Sequence, residues 1–137
     1  MFTPIRPLPL RNFYPVYYKL FEIAATPLLP FLYEIPVPSD AGGDFYFTTT
    51  LDDIKLRFRM KYNRRLGRWS MTIYDEAGDM IIAGKTLVNG LDLIGQYNDA
   101  RLPTGKLVAA SLDDTNQDDA GQFDLGTRVR LYYYTRK

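Results

Sequence analysis

Neither cysteine nor histidine occurs among the 137 residues of the sequence. Without cysteine the chain can form no disulfide framework and no thiolate metal site. Without histidine it lacks the commonest general base and the commonest metal ligand. The three serines therefore have no imidazole to activate them as nucleophiles. Carboxylate-pair and lysine chemistry stay open, but the composition argues against an enzyme and indicates neither a cofactor nor a small-molecule substrate.

Long apolar runs and a strong charge of one sign are also missing. No stretch reaches the roughly 18 apolar residues that a membrane-spanning helix needs. Prolines at positions 4, 7 and 9 interrupt any signal-peptide pattern. The net charge of +1 argues against a dedicated nucleic-acid binder. We therefore expect no contact with a membrane and do not expect nucleic acid as the main partner.

Proline is concentrated in residues 1–43, which hold eight of the nine prolines together with many aromatic and apolar side chains. Dense proline blocks long helices and central strands because it lacks the N–H donor and fixes φ. Disordered linkers are usually polar, so this apolar segment predicts an extended arm that lies against a protein surface. The arm either wraps its own domain, with a short strand at 16–23, or reaches neighbouring subunits; a short helix at 17–24 is a third alternative. The arm side chains expected to make protein contacts are Phe13, Tyr14, Tyr17, Tyr18, Phe31 and Tyr33.

From residue 44 onward the chain changes to short alternating segments separated by turns, which is typical of β-strands. Gly67 suits a positive φ in a hairpin loop, and Gly84 marks a kink or bulge. One helical turn at 91–94 is an alternative within an irregular connection. The sequence thus predicts an all-β fold, a small antiparallel β-sandwich or barrel of five to seven strands at 44–137, preceded by an extended proline-rich N-terminal arm at 1–43. The strand-like segments are 44–51, 54–63, 68–75, 80–88, 106–113 and 127–135.

Charge is unevenly distributed within this β-domain. Residues 52–75 hold seven basic and three acidic side chains, whereas residues 76–126 hold three basic and nine acidic ones. Because strand side chains alternate, the four basic residues of KLRFRMK share one face, which arginines of the following hairpin extend. This face is a solvated strand surface, a protein contact, or a phosphate-tracking groove with Tyr46, Tyr62 or Tyr74 as stacking partners. The last reading gives the alternative function, a single-stranded nucleic-acid-binding β-barrel. The candidate protein-contact residues are Lys55, Arg57, Arg59, Lys61, Arg64 and Arg68.

An acidic loop at 113–124 is the other charged feature. Its five aspartates supply oxygen ligands at a density that can hold Ca²⁺. The EF-hand spacing is absent and no glutamate closes the loop, so we interpret these residues as solvated turn acids and predict no metal site. The same loop of a neighbouring copy is one candidate partner for the basic face.

Several segments follow one another in an order that resembles the small β-domain of bacteriophage baseplate plug proteins, described from a cyanophage with a contractile tail. The resemblance runs from about residue 45 to residue 134, and no motif of that family lies in the first 43 residues. The matching segments are LDD and KLRFR within 51–59, YNRR and GRW within 62–69, IYD followed by a glycine and an isoleucine within 73–82, GKTLVNGLDLI at 84–94, LPTGKL at 102–107 and DLGTRVRLYY at 124–133.

The resemblance implies a structural component of the virion at the tip of the tail, made in the host bacterial cytoplasm. The family has no catalytic motif, which agrees with the expectation that the protein is not an enzyme. The partners it implies are other baseplate and tail proteins, namely hub, tube or wedge subunits. Opposed charged regions suit subunit contacts, so a homo-oligomer within a symmetric assembly is also expected.

Overall fold

Within residues 20–39 and 42–136, which the computed structural model describes, the chain forms nine β-strands and no helix. The arm residues Phe13, Tyr14, Tyr17 and Tyr18 lie outside these ranges. The strands are β1 (Leu20–Glu22), β2 (Thr26–Leu29), β3 (Leu32–Ile35), β4 (Asp44–Leu51), β5 (Ile54–Asn63), β6 (Arg68–Tyr74), β7 (Met80–Thr86), β8 (Lys106–Ser111) and β9 (Val129–Tyr134).

The strands form two sheets that pack face to face. One sheet has the order β1-β4-β5-β6-β7 and the other has the order β2-β3-β9-β8. All neighbouring strands are antiparallel except β1, which runs parallel to β4. The prediction of an all-β antiparallel sandwich is confirmed, and all six strand-like segments after residue 44 are strands.

Three strands come from the described part of the arm: β1 lies within the short strand expected at 16–23, whereas β2 and β3 were not predicted. The strands β1, β2 and β3 lie within residues 20–35 and raise the number above the predicted five to seven. They are three or four residues long, too short for a period of two to stand out, and Pro27 interrupts β2. The helix alternative at 17–24 is wrong for residues 20–22, which pair with β4. The division of the chain at residue 43 stays a prediction.

The hydrophobic core lies between the sheets and follows the predicted alternation. Every second side chain is buried from Leu56 to Met60 on β5 and from Trp69 to Ile73 on β6. The rings of Phe47 and Phe58 stack at a centroid distance of 4.9 Å. Each fully buried side chain of this size contributes roughly 2 kcal/mol of hydrophobic free energy. The buried side chains of β5 and β6 are Leu56, Phe58, Met60, Trp69, Met71 and Ile73, opposed by Leu107, Ala109, Val129, Leu131 and Tyr133 of the second sheet.

The connection between β7 and β8 covers the edge of β8. Gly90 N–H donates to the carbonyl of Ala109 (2.9 Å), and Leu93 N–H donates to the carbonyl of Leu107 (2.8 Å). The helical turn proposed at 91–94 is wrong, because none of these residues is helical and the N–H of Leu93 bonds to β8. The bulge expected at Gly84 is confirmed by a positive φ of 60° and by register shifts between β6 and β7.

Candidate protein-interaction surface

The basic residues of β5 lie side by side on the outer face of the five-stranded sheet, as the alternation predicts. Lys55, Arg57, Arg59 and Lys61 each pair with residues of β4, and the last three also pair with residues of β6. Their neighbours in these two strands are mostly hydroxyl-bearing side chains. The stripe is therefore a cationic line between two rows of hydrogen-bonding groups: Thr50, Thr48 and Tyr46 on β4, and Ser70, Thr72 and Tyr74 on β6.

The guanidinium of Arg59 is bound by an acidic side chain of the same chain. Its guanidinium donates from Nε (3.0 Å) and from a terminal nitrogen (2.8 Å) to the two carboxylate oxygens of Asp44. The same group lies 5.4 Å from the ring centre of Tyr46. The hydrogen bond to Asp44 is the main cause that raises the pKa of Arg59, partly offset by burial. Such a bidentate, stacked arginine is held in place and presents little uncompensated charge to a partner.

Three further predicted contact residues differ in how their charge is balanced. Lys55 lies 4.0 Å from a carboxylate oxygen of Glu22, and Arg68 lies 3.6 Å from one of Asp119. Exposed pairs of this kind contribute about 0–1 kcal/mol, so a partner's carboxylate can replace them at small cost. Within the described residues, Arg57 finds no hydrogen-bond acceptor for its buried Nε. The stripe is thus partly neutralised by acids of its own chain.

The tip of the β5–β6 hairpin carries exposed positive charge that no acidic side chain of the described residues neutralises. We call Lys61, Arg64, Arg65 and Leu66 the basic tip. Within 20–39 and 42–136, its three cations form no ion pair, and the side chain of Leu66 is 66% exposed. Arg65 and Leu66 were not among the predicted contact residues.

The backbone holds the basic tip in one conformation. Gly67 N–H donates to the carbonyl of Asn63 (2.8 Å), and Leu66 N–H donates to the Asn63 side chain (3.1 Å). Gly67 has a φ of 66°, which confirms the positive φ predicted there. A rigid hairpin end with exposed cations around one apolar side chain is suited to binding an acidic surface that has an apolar depression.

The two described aromatic contact candidates of the arm have different environments. Phe31, at the turn between β2 and β3, is 54% exposed, together with the neighbouring Leu28 and Leu29. Tyr33 is half-buried and packs against the core. Phe31 is therefore available to a partner, whereas Tyr33 presents only part of its ring.

The acidic loop is organised around an arginine. Arg128 of the loop before β9 donates to the carbonyls of Asn116 (2.9 Å) and Asp118 (2.9 Å) and to the carboxylate of Asp124 (3.1 Å). Its side chain is only 14% exposed. Among the described residues, no group of three or more acidic side chains is placed to hold a metal ion. The guanidinium thus supplies the positive charge around which the loop closes.

A groove opens at the end of the sandwich where the turn between β4 and β5 lies. We call it the carboxylate groove; its volume is about 680 Å³. Its walls include apolar and aromatic groups from the 23–25 segment, Pro30 and Tyr33. Its lining contains three carboxylates, those of Glu22, Asp52 and Asp53, and no lysine or arginine of the described chain. The sequence analysis did not single out this site.

Asp52 ties the two sheets together at the base of this groove. Asp52 and Asp53 have positive φ values of 51° and 65°, which makes them a two-residue hairpin turn of the kind that favours Asn-Gly. The Asp52 carboxylate accepts hydrogen bonds from the hydroxyls of Tyr133 (2.5 Å) and Thr135 (2.5 Å). The Tyr133 oxygen in turn accepts from Gly105 N–H (2.9 Å). An Asp-Asp pair in a tight hairpin is a sequence signal that could have identified this turn.

Ionisation of Tyr133 is expected to destabilise the fold. Burial, and next the hydrogen bond to Asp52, raise the pKa of Tyr133 above its usual value. A folded-state pKa above the unfolded one gives stability that is complete below about pH 10 and is lost as the pH rises further. Urea unfolding between about pH 8 and about pH 11 should therefore show a larger loss of stability for the wild type than for Tyr133→Phe. Parallel curves for the two proteins would contradict this expectation.

Comparison with known proteins gives one family. The family model described as "Cyanophage baseplate Pam3 plug gp18" matches residues 32–136, which include β3 to β9. No curated protein matches the chain. In the part of the chain that the structure describes, no helix has the length and apolar character to cross a membrane.

Proposed function

Since the chain belongs to the cyanophage baseplate plug family, we propose that its basic tip binds an acidic surface of a neighbouring tail protein. The chain is a structural component of the phage tail baseplate and interacts with other baseplate components. The partners we propose are hub, tube or wedge subunits, contacted by both the β-domain and the N-terminal arm. We further propose that the protein is made in the host cytoplasm, is not an enzyme and assembles as a homo-oligomer.

The proposed contact rests on which cations of the basic face are paired with carboxylates of the same chain and which are not. Arg59 is bound by Asp44, while Lys55 and Arg68 lie near carboxylates of the same chain. Among the described residues, Lys61, Arg64 and Arg65 form no ion pair and are exposed. Arg57 also forms no ion pair there, but it is partly buried. Complementary charge steers partners together and fixes their orientation, so the unpaired tip is the part of the face best suited to docking. The exposed Leu66 adds an apolar anchor at its centre.

The double charge reversal Arg64→Glu/Arg65→Glu is expected to lower incorporation of the protein into tails about tenfold or more. Two exposed cations would become anions that face an acidic partner. A loss of about 1.4 kcal/mol of binding free energy lowers the affinity tenfold. The measurement is a quantitative immunoblot of purified particles from cells that supply the variant in place of the wild type. Both substituted residues are exposed, so urea unfolding should show little change in stability.

Lys106→Glu is a control for charge reversal away from the basic tip, because it reverses an exposed lysine on β8 of the other sheet. Incorporation of this variant should equal that of the wild type. If the double reversal assembles as well as Lys106→Glu does, the basic tip is not the docking surface. Wild-type incorporation of both variants would leave the family assignment intact and exclude only this contact.

The alternative function, single-stranded nucleic-acid binding by the basic hairpin face, makes a different prediction. Binding carried by phosphate contacts weakens steeply as salt is raised. The bidentate Arg59–Asp44 pair removes the central cation of the stripe from such a role and favours the protein contact. A titration of single-stranded DNA at low salt tests the alternative directly. Measurable binding that the Arg64→Glu/Arg65→Glu variant loses would favour it.

A further inference from the structure

We propose that Asn89 is a deamidation site that the fold keeps closed, and that its conversion to an acid opens the loop at 113–124. Asn89 and Gly90 form the only Asn-Gly pair in the sequence. In such a pair the glycine nitrogen attacks the side-chain amide carbon of asparagine, so that a C–N bond forms and ammonia leaves. Water then opens the cyclic imide to aspartate or isoaspartate. Glycine favours the attack because no side chain shields its nitrogen, and asparagine is among the thermolabile residues.

Hydrogen bonding, rather than burial, restrains the attacking nitrogen. Gly90 is exposed, but its N–H donates to the carbonyl of Ala109 on β8 (2.9 Å), and Asn89 forms a β-bridge with the same residue. Attack requires a nitrogen that has lost its proton and lies about 3–3.5 Å from the amide carbon with its lone pair aligned. An N–H that is bonded to a carbonyl of β8 keeps its proton and is directed at that carbonyl. This bond therefore has to break before the ring can close.

The leaving amide is held by the loop at 113–124. The Asn89 Nδ2 donates to the carbonyls of Asp118 (2.9 Å) and Gln117 (3.3 Å). The backbone N–H of Asn89 donates to the carboxylate of Asp119 (2.8 Å). Arg128 bonds to carbonyls of the same loop, so it holds in place the groups that restrain the asparagine. Opening of the loop would release the side chain that has to turn towards the attacking nitrogen.

An acid at position 89 does not fit this environment. Its oxygens would replace an amide donor that faces two carbonyl oxygens, close to the Asp119 carboxylate. The amide oxygen Oδ1 of Asn89 is already buried and finds no donor among the described residues. A buried charge without a partner is costly, and like charges repel. The product should therefore expel the side chain and open the loop, and the loss of ammonia makes the change one-way.

Peptide mass spectrometry of the purified full-length protein, incubated at mildly alkaline pH, measures deamidation at Asn89. The folded wild type should react at least about tenfold more slowly than the same protein unfolded in urea, because only locally open molecules react. Arg128→Ala should speed the reaction of the folded protein at least about threefold by opening the loop, whereas Arg130→Ala should leave it unchanged. None of these measurements involves a partner of the basic tip, so the outcome is independent of the proposed function.

The variant Asn89→Asp tests the consequence directly. Hydrogen exchange at Asn116, within the loop, should become at least about tenfold faster than in the wild type. Asn98→Asp adds the same charge at an exposed asparagine and should leave this exchange unchanged. Equal deamidation rates in folded and unfolded wild type would overturn the proposal, and this comparison needs no variant. So would equal rates for Arg128→Ala and Arg130→Ala, or equal exchange at Asn116 for the two aspartate variants.

Discussion

An Asp52→Ala variant is expected to unfold with about 4 kcal/mol less free energy than the wild type. The carboxylate accepts two hydroxyl hydrogen bonds, from Tyr133 and Thr135, and each bond to a charged group contributes roughly 1.5 kcal/mol or more. Alanine at a φ of 51° adds about 1 kcal/mol of backbone strain, because a left-handed conformation disfavours an ordinary side chain. The loss is large because Tyr133 is buried and its hydroxyl would be left without its acceptor.

Asp53→Ala is the matched control for this experiment. It lies in the same two-residue turn at a φ of 65° but is exposed, so we expect a loss of about 1 kcal/mol from backbone strain. Asp52→Asn separates the two contributions, since asparagine tolerates the positive φ but cannot accept both hydroxyl bonds as a carboxylate does. Urea unfolding gives all three values. Equal losses for Asp52→Ala and Asp53→Ala would show that the link between the sheets adds no stability.

Removal of the Arg128 side chain is the second change with a large expected effect. Arg128→Ala should cost about 3 kcal/mol, because one nearly buried guanidinium bonds to several loop carbonyls and to the carboxylate of Asp124. The loop at 113–124 should lose its closed conformation at the same time. Hydrogen exchange should become faster at Asn116, whose N–H donates to Asp113 within this loop.

Arg130→Ala, in the adjoining strand β9, provides the comparison. Arg130 lies two residues farther along and is more exposed. It donates to the carbonyl of Thr127 (3.1 Å) and makes a long contact of 3.5 Å with Glu34. Its loss should cost less than about 1 kcal/mol. Arg128→Lys should fall between the two, because an ammonium group cannot reproduce the planar fork of donors. If the two alanine variants are equally stable, Arg128 does not organise the loop.

The β5–β6 hairpin shows how much could be predicted from the sequence. Its alternating side chains predicted which of them are buried, and Gly67 predicted the turn that joins the strands. Both inferences rest on local rules: a period of two along a strand and the freedom of glycine at positive φ. The placement of Lys55, Arg57, Arg59 and Lys61 on one outer face follows from the same period.

The partners of those cations could not be predicted in the same way. Glu22 lies far from Lys55 along the chain, and Asp119 lies far from Arg68, yet each pair meets in the folded protein. Such contacts depend on strand order and register, which no local pattern contains. The strands β2 and β3 were missed for a related reason: they are short, and they are stabilised by pairing with each other and with β9.

The sequence by itself determined the fold class, the six strands after residue 44, and the outward basic face, because alternation and turn residues act between neighbours in the chain. The tertiary structure alone decided which cations stay unpaired at the basic tip. It also decided that Asp52 bridges the sheets and that a groove with three carboxylates faces outward. The physical reason is that ion pairs, buried hydroxyl bonds and grooves form between residues that only the packing of the two sheets brings together.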